Sequence, residues 1–208
     1  MSDLETNWRQ AFDDLDLSCP PPCAFEELVA RYSEPHRAYH TVQHLEECLA
    51  WFDSARWAIA SPGLVALAIL YHDAIYDTHA RDNEERSADL VCGLLEEYTT
   101  VGDETQAPLR ELILATRHNA LPQPGDAEIV VDIDLAILGA ARQRFDEYEQ
   151  QVRREYDWVA EPDFRRGRAD ILRQFLARPK IYSTALFRER LESAARENLQ
   201  RSLAALTF

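Results

Sequence analysis

"LVALAILYHDAIYD", residues 64–77, opens as an apolar helix and closes as something else. Leu64 through Leu70 offer no polar side chain, so a helix built from them has no face for water and belongs inside a core. Then come Tyr71, His72, Asp73 and, after a short gap, Asp77. Seating a carboxylate beside an imidazole at the end of such a run is costly unless something pairs with both. A metal ion is one such partner, and a hydrogen-bonded pair at a helix end is another. Neighbours on a helix diverge by about 100°. His72 and Asp73 therefore share an ion only where it lies near the helix axis, as at a frayed C-terminal end. Asp77, Thr78 and the polar "HARDN" (79–83) supply such an end.

The surrounding pattern is helical. Ser61-Pro62 joins an N-cap residue to a proline at the first helical position and launches the apolar run. Upstream, the spacing predicts helices over 3–17, 24–33 and from Pro35 to about Trp57. Downstream it predicts 83–98, capped by Asp82 with early glutamates at the positive end, and then 105–118, 142–159, 163–178 and 183–206. The last carries Phe187, Leu191, Ala195, Leu199 and Leu203 at four-residue spacing, a stripe that faces a core. "LPQPGDAE" (121–128) interrupts the pattern. "IVVDIDLAILGA" (129–140) is apolar enough for a buried strand or a buried helix, and its helical surroundings favour helix. Six glycines in 208 residues are few for the turns of a sandwich or barrel. The chain reads as all-α, one domain over residues 1–208, long enough to bury a sizeable core.

A net charge of −15 repels phosphate backbones, so a nucleic acid polymer is not an expected partner. A small phosphorylated substrate stays open, because a bound metal inverts the field locally. Cys19 and Cys23 form C-P-P-P-C, read as two thiols flanking a proline-stiffened turn, since no second Cys/His pair sits nearby at zinc-clip spacing. The polar opening "MSDLETNWRQ" is no signal peptide, and no apolar run reaches membrane-spanning length. A cytoplasmic protein with reduced thiols, and no membrane partner, is expected.

Six histidines occur: His36, His40, His44, His72, His79 and His118. On the predicted 35–57 helix, His40 and His44 lie four apart and share a face. That geometry suits one metal, or one metal and one proton donor. In "VVDIDLAILG", Asp132 and Asp134 interrupt an apolar run. Residues two apart lie on opposed helix faces, so at least one carboxylate turns inward and needs a cation. No Lys or Arg lies between Arg117 and Arg142, which makes a metal a better candidate than an ion pair. Thr116, Arg117 and His118 close the 105–118 helix, either as a solvated end or as part of a site. Arg37 and Arg81 could grip a phosphate but read first as solvated surface arginines.

Six motifs in this order, "YHTVQHLEECL", "YHDAIYD", "DNEERSA", "ILATRHN", "DIDLAILG" and "RREYDWV", resemble a bacterial family of predicted metal-dependent phosphohydrolases in the HD-domain superfamily. The resemblance runs on through "LRQFLARPKIY" and "AARENL" and so covers nearly the whole chain. It implies an HD-type helical bundle that hydrolyses a small phosphoester with a divalent metal ion: Mn, Fe, Co, Ni, Zn or Mg. By similarity to the related cyclic-nucleotide phosphodiesterases, His44 is the first metal ligand and His40 the general acid. His72 and Asp73 are the next ligands, and "I-D-L" points to Asp134 as the last, with Asp132 as runner-up. His118 becomes a second-metal or phosphate contact, and Arg117 a grip on phosphate oxygens. Some HD nucleotidases carry a catalytic Glu three residues after the HD pair. Tyr76 stands there in this chain, and Asp77 beside it is the substitute. Two other chemistries fit the same residues: a di-iron oxygenase, and a non-catalytic metal-stabilised sensor.

Overall fold

A computed structural model describes residues 3–206. Among them every regular element is helical, with no strand. The helices fall into two compact units, one up to Asp134 and one from Leu135.

The first unit holds α1 (Asp3–Asp13), α2 (Pro22–Arg31), α3 (Val42–Ala55), α4 (Pro62–Tyr71), α5 (Asn83–Tyr98), α6 (Asp103–Ala115) and α7 (Asp126–Asp134). The helix α4 is the apolar run of the sequence, and it occupies the centre. It packs against α1, α3, α5, α6 and α7, and Val65 through Tyr71 are all buried. At about 1.5–3 kcal/mol for each large aliphatic side chain removed from water, Val65, Leu67, Ile69 and Leu70 make α4 the main apolar contributor to this core. Trp8 of α1 reaches it with a hydrogen bond from Nε1 to the Tyr71 hydroxyl at 3.2 Å. The start of α4 lies so close to α1 that a Cβ on Gly63 would meet the Ala11 carbonyl oxygen at 2.7 Å. Backbone does not yield as a side-chain tip does. Gly63→Ala is therefore expected to cost about 1–3 kcal/mol, read as a lower denaturant midpoint at unchanged slope. A midpoint at or above wild type would contradict this packing.

Several boundaries differ from the sequence reading. The first helix stops at Asp13, and Asp16 turns the chain with φ at 53°. The helix predicted from Pro35 begins only at Val42. Residues 34–41 are turns, because Arg37 and Tyr39 point inward instead of following a helical stripe. Ser61 and Asp82 sit at N-cap positions, but neither side chain makes a capping bond. The entry to α4 is held from elsewhere: the Asp126 carboxylate accepts hydrogen bonds from the backbone N–H of Ala60 and Ser61, each at 2.8 Å. The helix α7 starts at Asp126, inside the predicted Pro/Gly break, and "IVVDIDLAILGA" is helical as expected.

The second unit begins with a 3₁₀ stretch over Leu135–Gly139, followed by α8 (Arg142–Glu155), α9 (Glu161–Ala177) and α10 (Ala185–Leu206). Phe187, Leu191, Ala195 and Leu199 are buried along α10, and Leu203 half-buried, which is the predicted stripe. Asn198 fixes the 3₁₀ stretch by donating to the Leu138 and Ala140 carbonyls at 3.0 and 2.9 Å. The buried guanidinium of Arg168 pairs with Glu149 and donates to the Tyr148 hydroxyl at 2.9 Å.

All four cysteines are free thiols, with Cys19 half-buried and Cys23 exposed. Among the described residues no helix is long and apolar enough to cross a membrane.

Candidate metal centre

Three helix ends supply the site. The helix α4 ends at Tyr71, so His72 and Asp73 fall where the chain leaves the helix axis. The His72 backbone N–H still bonds the Ala68 carbonyl at 2.9 Å, as a last helical residue does. His44 lies in the first turn of α3, and Asp134 is the last residue of α7. One ligand atom from each of His44, His72, Asp73 and Asp134 lies within 4.8 Å of the others, and the group could hold a metal ion. The two Nε2 atoms are 3.1 Å apart. Asp73 Oδ2 is 2.9 Å from His72 Nε2 and 3.8 Å from His44 Nε2. Asp134 Oδ1 is 3.4 Å from His44 Nε2 and 3.5 Å from His72 Nε2.

The second nitrogen of His72 fixes the tautomer. Nδ1 lies 2.8 Å from the Ile69 carbonyl oxygen, which only accepts, so Nδ1 carries a proton. The neutral ring then presents its lone pair from Nε2, toward the other three side chains. A backbone carbonyl behind the ring is the usual outer support of a metal-binding histidine.

Electrostatics sets the protonation of the cluster. Burial pushes His72 toward neutrality, but the Asp73 and Asp134 carboxylates outweigh it and hold the imidazolium well above the ordinary histidine range. Burial wins at His44, which stays neutral despite Asp134. Burial also pushes both aspartates up. His72 and His40 bring Asp73 below its usual range, and bonds from His118, His44 and His72 bring Asp134 well below its own. Two carboxylates, one imidazolium and one neutral imidazole leave a single negative charge. A divalent cation in place of that one proton brings the group to neutrality, and the N₂O₂ donor set suits such an ion.

A pH dependence follows. His72 is raised in the folded chain, so its contribution to ion-free stability is complete below the unfolded value of 6.5 and is lost as pH rises through the folded value. Metal binding displaces the same proton, so metal affinity runs the other way and rises with pH. Melting across pH 6–10, in chelator and with saturating metal, reads the two effects. Above pH 6.5 the stability of chelator-treated protein should fall as pH rises. With saturating metal neither the native site nor the unfolded chain carries that proton, and this group should leave stability level, so that the gain from metal grows with pH. Parallel slopes would count against an imidazolium between the two aspartates.

His40 lies outside α3, which corrects the shared-helix-face reading, yet the 34–41 turns still bring it to the cluster. Its Nε2 is 3.8 Å from Asp73 Oδ2. Its ring stacks on Tyr76 with centroids 4.1 Å apart. His118 follows α6 with φ at 56°, and its Nε2 lies 2.7 Å from Asp134 Oδ2. Asp134 thus turns one oxygen to the histidine pair and has the other held by His118.

Other predicted residues are not brought into this group. Asp77 is exposed, and its carboxylate accepts from the His79 backbone N–H at 2.8 Å. Arg117 pairs with Glu84, 3.6 Å away, and with Glu85. Asp132 is fully buried but outside the four. Arg81 is exposed, whereas Arg37 is buried, which overturns the surface reading of that arginine. Its guanidinium, aligned to backbone carbonyls, is the part of the site that the sequence reading missed. Cys48 was missed too: its buried Sγ lies 3.7 Å from both ring nitrogens of His44, and burial keeps the thiol protonated. The four-residue interval between His44 and Cys48 was the available signal.

Compared with protein-family models, curated proteins and solved structures, the chain matches none.

Proposed function

We propose that this protein is a metal-dependent hydrolase of a small phosphoester, a nucleotide or a similar phosphorylated metabolite. The observation that carries the reading is the convergence of His44, His72, Asp73 and Asp134 with His40 at their edge. His44 and His72 would hold the ion through nitrogen, and Asp73 and Asp134 through oxygen. A divalent ion there lowers the pKa of a water and withdraws charge from phosphorus.

The chain's own residues do the rest. His40 stands next to a ligand without belonging to the four, the place from which an imidazole would give a proton to the leaving oxygen. Stacking on Tyr76 fixes the plane of that ring, with its Nε2 3.8 Å from Asp73 Oδ2. His118 keeps Asp134 oriented.

Elemental analysis of the purified chain, followed by a panel of phosphoesters with the native metal restored, tests the proposal. The expected result is bound divalent metal and turnover of at least one small phosphoester that ceases with chelator. Stoichiometric iron with dioxygen consumption and no phosphoester turnover would overturn it in favour of oxygenase chemistry. Metal-dependent folding with ligand binding and no turnover would overturn it in favour of a sensor.

A further inference from the structure

We infer that Arg37 is a positioning residue of the metal centre, joining by its guanidinium the His40 turn to the His72-Asp73 turn. Its side chain is fully buried. Nη1 donates to the His40 carbonyl at 3.1 Å and to the Asp73 carbonyl at 2.7 Å, and Nη2 donates to the Ala74 carbonyl at 3.0 Å. Nε donates to Glu34 at 3.0 Å. The guanidinium lies over the rings of Tyr32 and Tyr76, at 5.0 and 5.4 Å from their centroids.

A buried guanidinium is costly unless its fork of donors is satisfied. Here three of the four acceptors are backbone carbonyls of residues that carry or flank the site. These segments are remote in sequence, and both are turns, so neither has a helical ladder to hold it. Tyr32 completes the clamp: its hydroxyl accepts the Asp73 backbone N–H at 3.2 Å. The Asp73 residue is thereby gripped on its carbonyl side by Arg37 and on its amide side by Tyr32. Arg37 makes no ion pair with Asp73 or Asp134. It therefore aims the carboxylate without competing with a cation for its oxygens. A lysine there has one compact ammonium and lacks the planar fork that reaches two turns at once.

The inference rests on the metal-site reading and is tested with Co²⁺ on the full chain, by affinity and by the visible absorption of the bound ion. Arg37→Lys is expected to weaken Co²⁺ binding by about 10–100-fold, the usual effect of removing an outer support, and to alter the absorption bands. Leu172→Ala, a core truncation in the second unit, lowers stability and should leave affinity and spectrum as in wild type. Tyr32→Phe, which keeps the packing and removes only the hydroxyl, should shift both readouts in the same direction by a smaller factor. It serves as the decisive variant if Arg37→Lys does not fold. Wild-type affinity and bands in Arg37→Lys, or in Tyr32→Phe where the lysine variant does not fold, would overturn the clamp while leaving the metal site standing. Equal weakening by Leu172→Ala would overturn it as a general stability effect. Absence of Co²⁺ binding by wild type would overturn both readings.

Discussion

His72→Gln is expected to weaken divalent metal binding by roughly a hundred- to a thousandfold. Structural metal sites with four ligands gain about 10–16 kcal/mol, so one ligand accounts for about 3 kcal/mol, and each 1.36 kcal/mol is about a factor of ten. The same substitution acts on the ion-free protein. His72 is the imidazolium between Asp73 and Asp134, 2.9 and 3.5 Å from their nearest oxygens. Removing one partner of a buried charge pair costs about 3–5 kcal/mol. At roughly 2–4 °C per kcal/mol for a chain of this size, the chelator-treated variant should melt about 6–20 °C below wild type. Isothermal titration with Zn²⁺ or Mn²⁺ and a melting curve in chelator read the two effects separately. Wild-type metal affinity in this variant would remove the basis for everything proposed about the site.

His40→Ala should do the reverse: leave metal content intact and remove turnover. The ring sits at the edge of the cluster, so its loss leaves all four ligand side chains in place. Loss of a positioned general acid lowers rate by about 10²–10⁴-fold. The loss should be smaller for a substrate whose leaving group needs no proton, such as a nitrophenyl ester, than for an alkyl ester. That contrast distinguishes an acid from a residue that merely shapes the pocket. An equal loss on both substrates, or depletion of metal in the variant, would rule out the proton-donor role.

The all-helical class was legible because it follows from local properties. An apolar run with no polar face, a Ser-Pro start and a scarcity of glycine each act over a few residues, and α4 formed where they put it. The pairing of His72 with Asp73 was legible for the same reason, since the run ends one residue before them. His44 and Asp134 were named beside these two through motif resemblance, and the fold gathers the four into one group. The same resemblance preferred Asp134 to Asp132, and the physical reason for that order lies in the structure. The two lie on opposed faces of α7 and both are sheltered from water, so only the position of α3 and α4 selects the one at the helix end.

The turns around the site were not legible at all. Helical spacing carried His40 onto α3, but residues 34–41 leave the helix because Arg37 finds carbonyl partners at His40, Asp73 and Ala74. Those partners are up to 37 residues away, and nothing in "PHRAYH" signals them. The sequence by itself determined the all-helical class, the central apolar helix and which residue types interrupt the apolar runs. Tertiary structure alone decided which interruptions meet, because a buried charge is stabilised by whatever the fold brings beside it, and that neighbour is set by packing over distances no local pattern encodes.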